Sequence, residues 1–454
     1  MTTTGRSGQS PAFDVVVAGG GLSGLAAAVE LSGRGARVGL FDQSPRLGGR
    51  CFSFTDPRSG DVVDNGQHIL LGAYRNVLRY LGVIGTAHML AKHPGMRLPF
   101  FHPEKGFAEF RMPAIPRPFH LPAAALKFRL LTLGARRKML RVGYALSNWD
   151  AGTEARLATL SIAQWLDELG QSEQARSCFW HPIAVSAMNA SPEEACALPF
   201  ARSLRAVLLG RKSDGAVLIP SAGQSELYVG RAVEFLERHG ADVRVNCRVE
   251  TIELSAGKVA GVRLRGGRSV RTSSVIAAVP HHALASLLPE HHRSAEPFSG
   301  LKRIGSSPIV SINLWFDREF MEPDYLGLID MHLQWVFNRR KITASGPKSG
   351  GYLSAVISGA DDVVDSPREK LVAMALRDLH VVFPACRKAR LTSAFVVKEK
   401  RATFRPTCDA ERLRPPARTP IENFFLAGDW TATGLPGTIE GAVQSGYTAA
   451  GLVK

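Results

Sequence analysis

The 454-residue chain carries 56 Lys and Arg against 40 Asp and Glu, a formal net charge of +16, and 45% of its residues are hydrophobic. That composition gives room for two or three domains with a large core and a surface that favours anionic partners. No zinc-finger spacing, RNP-type sequence or basic heptad region accompanies the charge, so nucleic acid is excluded as the expected partner. The six cysteines lack a CxxC pair or a histidine at ligand spacing, so no metal is expected and a reduced, cytoplasmic protein is the simplest reading.

The opening "MTTTGRSGQS" reads as a short disordered lead, since it has no apolar run before a cleavage site. Next, "FDVVVA" (Phe13 to Ala18) predicts a buried strand, and Gly19, Gly21 and Gly24 follow it in GxGxxG spacing. The first glycine permits the tight turn, the second lets backbone approach a pyrophosphate, and the third lets the following helix sit close to the sheet. That helix, predicted over about Leu22 to Ser32, aims the amides of Leu22 and Ser23 at the phosphates, where its dipole favours negative charge. "ARVGLFD" supplies a second strand ending at Asp42, whose carboxylate is placed to accept ribose hydroxyls, with Gln43 beside it. Strand, glycine triplet, helix, strand and terminal acid in register predict a dinucleotide site.

The next stretch, "QSPRLGGRCFSF" (Gln43 to Phe54), resembles the extended FAD fingerprint of the flavin amine oxidase and phytoene desaturase superfamily. The resemblance implies FAD as cofactor and assigns Gly49 to backbone clearance and Arg50 to the charge of the pyrophosphate and ribityl portion.

No acidic residue occurs between Phe110 and Asn148, and "AAALKFRLLTLGARRKMLRVGYAL" (Ala123 to Leu146) interleaves six basic residues with Leu, Phe, Met and Val. This is the composition of an interfacial amphipathic helix, and it predicts an anionic membrane surface as partner; a solvated helical face packed through its leucines is the alternative. No uncharged run reaches the ~20 apolar residues of a bilayer crossing, so the expectation is peripheral attachment to the inner face of the membrane. "SIAQWLDELG" predicts a helix with Ser161 as its N-cap. "ADVRVNCRVETIEL" and "KVAGVRLRGGRSVRTSSVIAAVP" predict strands, the latter returning to the central sheet; in the superfamily resembled, Val249 falls where backbone packs on adenine. "SPIVSINLWFD" and "GYLSAVISG" read as further strands, followed by a helix near "SPREKLVAMALRDLHVVF". Trp180, His181 and Trp315 are placed either to line a substrate chamber or, the simpler reading, to belong to the core, and His281-His282 and Cys408 read as structural.

At the C-terminal end, "NFFLAGDWTATGLPGTIEGAVQSGYTAA" (Asn423 to Ala450) is a buried strand, Gly428-Asp429, then a loop entering a small-residue helix. In FAD proteins of the resembled type, Gly428 and Asp429 meet the ribityl or pyrophosphate portion and the helix start at Thr438 and Ile439 faces the flavin. The predicted fold is α/β: a discontinuous Rossmann-like FAD domain (10–100, 215–290 and 395–454) with a mixed sheet-plus-helix substrate domain (101–214 and 295–394), amine oxidase-like.

"DNGQHILLGAY", "EKRATFRPT" and "LAGDWTATGLPGTIEGAVQSG" together resemble the squalene-associated FAD-dependent desaturase family of hydroxysqualene dehydroxylases, nearly along the whole chain. The resemblance implies a long-chain isoprenoid substrate whose allylic hydroxyl is removed at the expense of reduced FAD; it leaves the reductant of the flavin open. His68 is the candidate acid, with Asp64 either its partner or a turn cap, and a purely structural role for both is the alternative. A carotenoid desaturase and an amine oxidase share the fold; an amine oxidase carries an aromatic residue where this chain has Thr438. A prenyl-binding escort-type protein is the non-enzymatic alternative.

Overall fold

The computed structural model describes residues 12–93, 95–113, 115, 119–343 and 349–454. The N-terminal lead 1–10 and part of the proline-rich loop after Arg111 lie outside the described residues. Phe13–Ala18 is a strand whose Val15, Val16, Val17 and Ala18 are shut off from solvent on both faces, the environment of a parallel-sheet interior. It pairs in parallel with Val38–Phe41 on one side and with Ser269–Ala277 on the other. Asp242–Arg244 extends the sheet beyond Val38–Phe41, while Lys258–Leu264 and Val249–Ser255 extend it at the opposite edge. Phe424–Leu426 adds in parallel to Ser269–Ala277, so residues from both ends and the middle of the chain make one sheet.

The helix Leu22–Gly33 lies on this sheet because its contact residues are small. A Cβ at Gly24 would run into the Gly19 carbonyl oxygen, and one at Gly446 of the C-terminal helix Ile439–Ala450 would run into the Ser23 carbonyl oxygen. These two glycines set how closely the first helix can approach the turn and its neighbour.

A second sheet of seven strands runs in the order Leu391–Phe404, Ser306–Phe316, Gly351–Ser358, Trp335–Asn338, Tyr325–Leu328, Arg97–His102 and Gly106–Arg111. Alternation along Ser306–Phe316 decides its two faces. Val310, Ile312, Leu314 and Phe316 join Leu371, Met374 and Leu379 of the helix Arg368–Val382 in one core cluster. The opposite face turns toward the hairpin of Ser53–Thr55 and Val62–Asp64, where Trp315 donates to Asp61 at 2.8 Å. The expected domain limits at 100 and 395 fall within strands of this sheet, Arg97–His102 and Leu391–Phe404.

A helical layer completes the second half. Ile162–Glu168 is capped by Ser161 in a reciprocal arrangement with Gln164, the pattern its sequence predicts. The basic stretch differs from the single amphipathic helix expected: it is a pair, His120–Lys127 and Leu133–Ser147. Phe128, Leu130 and Leu131 turn inward to the core between them, and Thr132 caps the second helix by accepting from the Ala135 amide at 3.3 Å.

Candidate functional site

A single cavity of about 1460 Å³ reaches from the glycine turn, across the meeting of the two sheets, to the basic helical pair. This exceeds the ~300–1,000 Å³ of a site for one small ligand, so there is space for a dinucleotide and a second long molecule together.

At the dinucleotide end, Gly19, Gly21, Leu22 and Ser23 line the wall, and Gly24 stands behind them where the helix meets the turn. A Cβ built on Gly21 would meet no atom within 4 Å, which leaves the backbone open to a phosphate. Gly19 adopts φ +108°, a conformation that L side chains rarely take. Asp42 is buried, and its two oxygens accept from the Gly20 amide at 2.6 Å and the Ser44 amide at 2.7 Å. It thereby ties the turn to the end of the second strand while still facing the cavity beside Gln43. Val249 forms the wall further along.

The two ends of the chain meet at one ion pair. Arg50 Nη2 donates to Asp429 Oδ1 at 2.8 Å across 379 residues of sequence, and Arg50 Nη1 donates to the Ala402 carbonyl. Gly49, Gly428, Thr438 and Ile439 border the same region. Thr438 caps the helix Ile439–Ala450 by accepting from the Gly441 amide at 3.2 Å, so the positive end of that helix opens on the cavity. Open backbone at the glycine turn, a buried carboxylate at the strand end and an arginine facing a second helix start fit an FAD molecule laid from turn to C-terminal helix.

His68 also lines the cavity; its Nδ1 is enclosed without a hydrogen-bond partner, and burial pushes its pKa down to about 4. Asp64, in contrast, stands outside the cavity wall. It accepts from Ser53 Oγ at 2.7 Å and the Gln224 amide at 2.9 Å, and its other oxygen lies 3.0 Å from Arg339 Nη2, an ion pair out of hydrogen-bond line. Among the described residues no hydrogen bond joins Asp64 to His68. The partner of Asp64 is instead Arg339, which also donates to Gln67, next to His68.

Sequence reasoning passed over several residues of the wall. Glu440 accepts from the amides of Asn76 and Val77, both at 3.0 Å, at the start of the helix Arg75–Ile84, and burial raises its pKa. Glu399 and Thr403 come from Leu391–Phe404; the signal for Glu399 is a charge in strand alternation with Val397 and Phe395, two and four residues before it. Trp180 lines the cavity and donates to Gln171 at 2.9 Å, whereas Trp315 is stacked on Tyr352 away from it. Cys408 sits against the Leu160 carbonyl at 3.2 Å. Among the described residues no group of three His, Cys, Asp or Glu could hold a metal ion, and no helix is long and apolar enough to cross a membrane.

Residues 22–454 match the family model described as flavin containing amine oxidoreductase. A hydroxysqualene dehydroxylase of Sinorhizobium fredii is 30% identical, over 97% of this chain and 98% of its own length. One from Rhodopseudomonas palustris is 31% identical with the same coverage, and a 15-cis-phytoene desaturase of an Oncidium hybrid cultivar is 27% identical over 96% of this chain and 77% of its own. Among solved structures, an oxidoreductase from Methanosarcina mazei superposes with a TM-score of 0.73 at 18% identity, covering 95% of this chain and 98% of that one. A putrescine oxidase bound to putrescine gives 0.70 at 17% identity, covering 97% and 98%; at such identities the likeness is one of fold.

Proposed function

The chain belongs to the flavin-containing amine oxidoreductase family and is an FAD-dependent enzyme, and from that premise we propose that it converts hydroxysqualene to squalene by removing the allylic hydroxyl. The observation that carries the reading is the size and lining of the cavity: one space of about 1460 Å³ bordered by the glycine turn and by Phe110, Phe179, Phe200, Trp335 and Phe337. An acyclic C30 chain needs a large, aromatic-lined space beside its cofactor, whereas a small amine does not. The division of labour follows the segments, with 10–100, 215–290 and 395–454 holding the cofactor and 101–214 and 295–394 the substrate.

Within the cradle, Gly19, Gly21, Leu22, Ser23 and Gly24 receive the pyrophosphate, and Asp42 with Gln43 the adenosine ribose. Val249 backs the adenine. Gly49, Arg50, Gly428 and Asp429 would hold the ribityl and pyrophosphate portion, and Thr438 and Ile439 would stand at the ring end. When bound and reduced, FAD supplies the hydride that replaces the hydroxyl. A proton must reach the departing oxygen, so that alcohol, proton and hydride yield hydrocarbon and water. His68 delivers that proton; with its pKa depressed to about 4, its charged form is an unusually strong acid present as a small fraction at neutral pH. Asp64 serves by fixing the loop that carries His68 and not by touching substrate.

An anionic membrane surface is the place from which such a substrate is drawn. Phe119, Leu126, Leu133 and Tyr144, four of the large exposed apolar side chains, lie on the basic helical pair or at its start. Leu121, Ala125, Leu140 and Gly143 of the same pair line the cavity. Apolar tips among lysines and arginines suit a surface helix lying in an anionic interface. The deciding experiment is anaerobic incubation with hydroxysqualene and chemically reduced FAD, followed by product analysis. Squalene is expected; desaturation of phytoene by the oxidised protein, with hydroxysqualene untouched, would overturn the reading in favour of the phytoene desaturase relatives.

A further inference from the structure

We infer that the carboxylate of Glu399 is the group that stabilises the positive charge developing on the substrate as the hydroxyl leaves, an inference that rests on the reaction proposed above. Five carboxylates of the described residues line the cavity: Asp42, Asp214, Glu399, Asp429 and Glu440. Four are engaged. Asp42 holds the Gly20 and Ser44 amides, Asp214 the Arg75 guanidinium and the Arg211 amide, Asp429 the Arg50 guanidinium, and Glu440 the Asn76 and Val77 amides. Glu399 accepts only a long contact of 3.4 Å from the Arg401 amide and acts on the Arg50 guanidinium through its charge alone, Asp429 holding the hydrogen bond, so it is the carboxylate of the wall without a close partner.

Register places it there. Glu399 pairs with Ile309 on the antiparallel neighbour, and directly opposed residues share a face of the sheet. Ile309 also lines the cavity, and so do Ala402 and Thr403. Between the Ile309–Glu399 and Ser307–Thr403 pairs the register slips, and extra residues of the longer strand bulge out. Such a bulge re-aims a strand at a site; this one delivers the Ala402 carbonyl to Arg50 and sets Glu399 and Thr403 at the junction of cradle and substrate space. Aromatic side chains make much of the substrate wall apolar, with Ser186, Asn189, Ser203 and Arg205 among its polar members; beside apolar groups an isolated cation is costly and one fixed anion is worth more than in water. The chemistry balances without a new reactant: the C–O bond breaks, the proton leaves with the oxygen as water, and the positive charge left on the allylic carbon would be cancelled by the hydride that bound, reduced FAD would supply.

The test uses the FAD-loaded enzyme and Glu399→Gln, which keeps shape and removes charge. A drop in kcat of about 100-fold with KM within about threefold of wild type is expected, as for loss of one preorganised electrostatic group. Independently of turnover, the oxidised holoenzyme is titrated with an acyclic isoprenoid bearing an ammonium at the reacting position and with its neutral hydrocarbon counterpart, following the flavin absorbance. Wild type should prefer the ammonium, E399Q should lose that preference, and both should bind the hydrocarbon alike; Glu399→Asp, with the carboxylate drawn back, should fall between. Equal kcat in wild type and E399Q, or an ammonium preference that survives the substitution, overturns the inference. A wild type that leaves hydroxysqualene unchanged overturns the reaction instead, and the titration still decides whether Glu399 presents its charge to the cavity.

Discussion

Replacing Asp64 by Ala would leave the Arg339 guanidinium, whose side chain is 1% exposed, buried without its counter-ion. The same change removes the acceptor of Ser53 Oγ and of the Gln224 amide. Ser53 can turn its hydroxyl elsewhere and Gln67 still accepts from Arg339, so the dominant loss is the uncompensated charge. Breaking a buried pair from one side costs about 3–5 kcal/mol, a large part of the ~5–15 kcal/mol that holds a folded protein together. The assay is urea unfolding of the FAD-loaded protein, read by release of flavin fluorescence, for D64A, R339M and the double variant. Because the double variant removes both charges, it should be more stable than the sum of the single losses by at least about 1 kcal/mol. A D64A variant that loses less than about 1 kcal/mol, or strictly additive losses, would refute the assignment of Asp64 to the Arg339 pair and return it to the list of candidates for chemistry.

Other outcomes follow from the same geometry. Gly24→Ala should abolish FAD retention on a desalting column, because the new Cβ meets the Gly19 carbonyl oxygen of the turn itself. His68→Ala should keep FAD yet lower kcat, and in wild type kcat should climb as pH falls from 7 toward the pKa of about 4; a flat profile with unchanged turnover removes His68 from proton delivery. Stability should move the other way. His68 and His281 are both held near 4 by burial, below the ordinary value near 6.5, so the unfolded chain binds protons first and stability is lost as pH drops from 6.5 toward 4. Urea midpoints at pH 7 and pH 5 should converge when both are replaced by Gln. Phe119→Ser with Leu133→Ser should release the protein from vesicles containing anionic lipid while leaving its thermal midpoint unchanged, since both side chains are already exposed.

What the sequence determined by itself is local. An apolar run, a glycine triplet and an acid at the next strand end specify Phe13 to Asp42 because each residue there is chosen by its own backbone or by neighbours a few positions away. Ser161 and Gln164 fix a helix start for the same reason. The resemblance at Gly49-Arg50 and Gly428-Asp429 added a cofactor to that local frame. Tertiary structure decided everything that depends on who stands opposite whom. Asp64 pairs with Arg339 and reaches His68 by its charge alone, Glu440 caps a helix 364 residues away, and the basic stretch breaks into two helices because Phe128, Leu130 and Leu131 find a core to enter. Glu399 became conspicuous only when the other carboxylates of the cavity had found their partners. Burial makes such pairings mandatory, since a charge removed from water must be matched by whatever the fold brings near it, and the identity of that neighbour is written in packing and not in spacing.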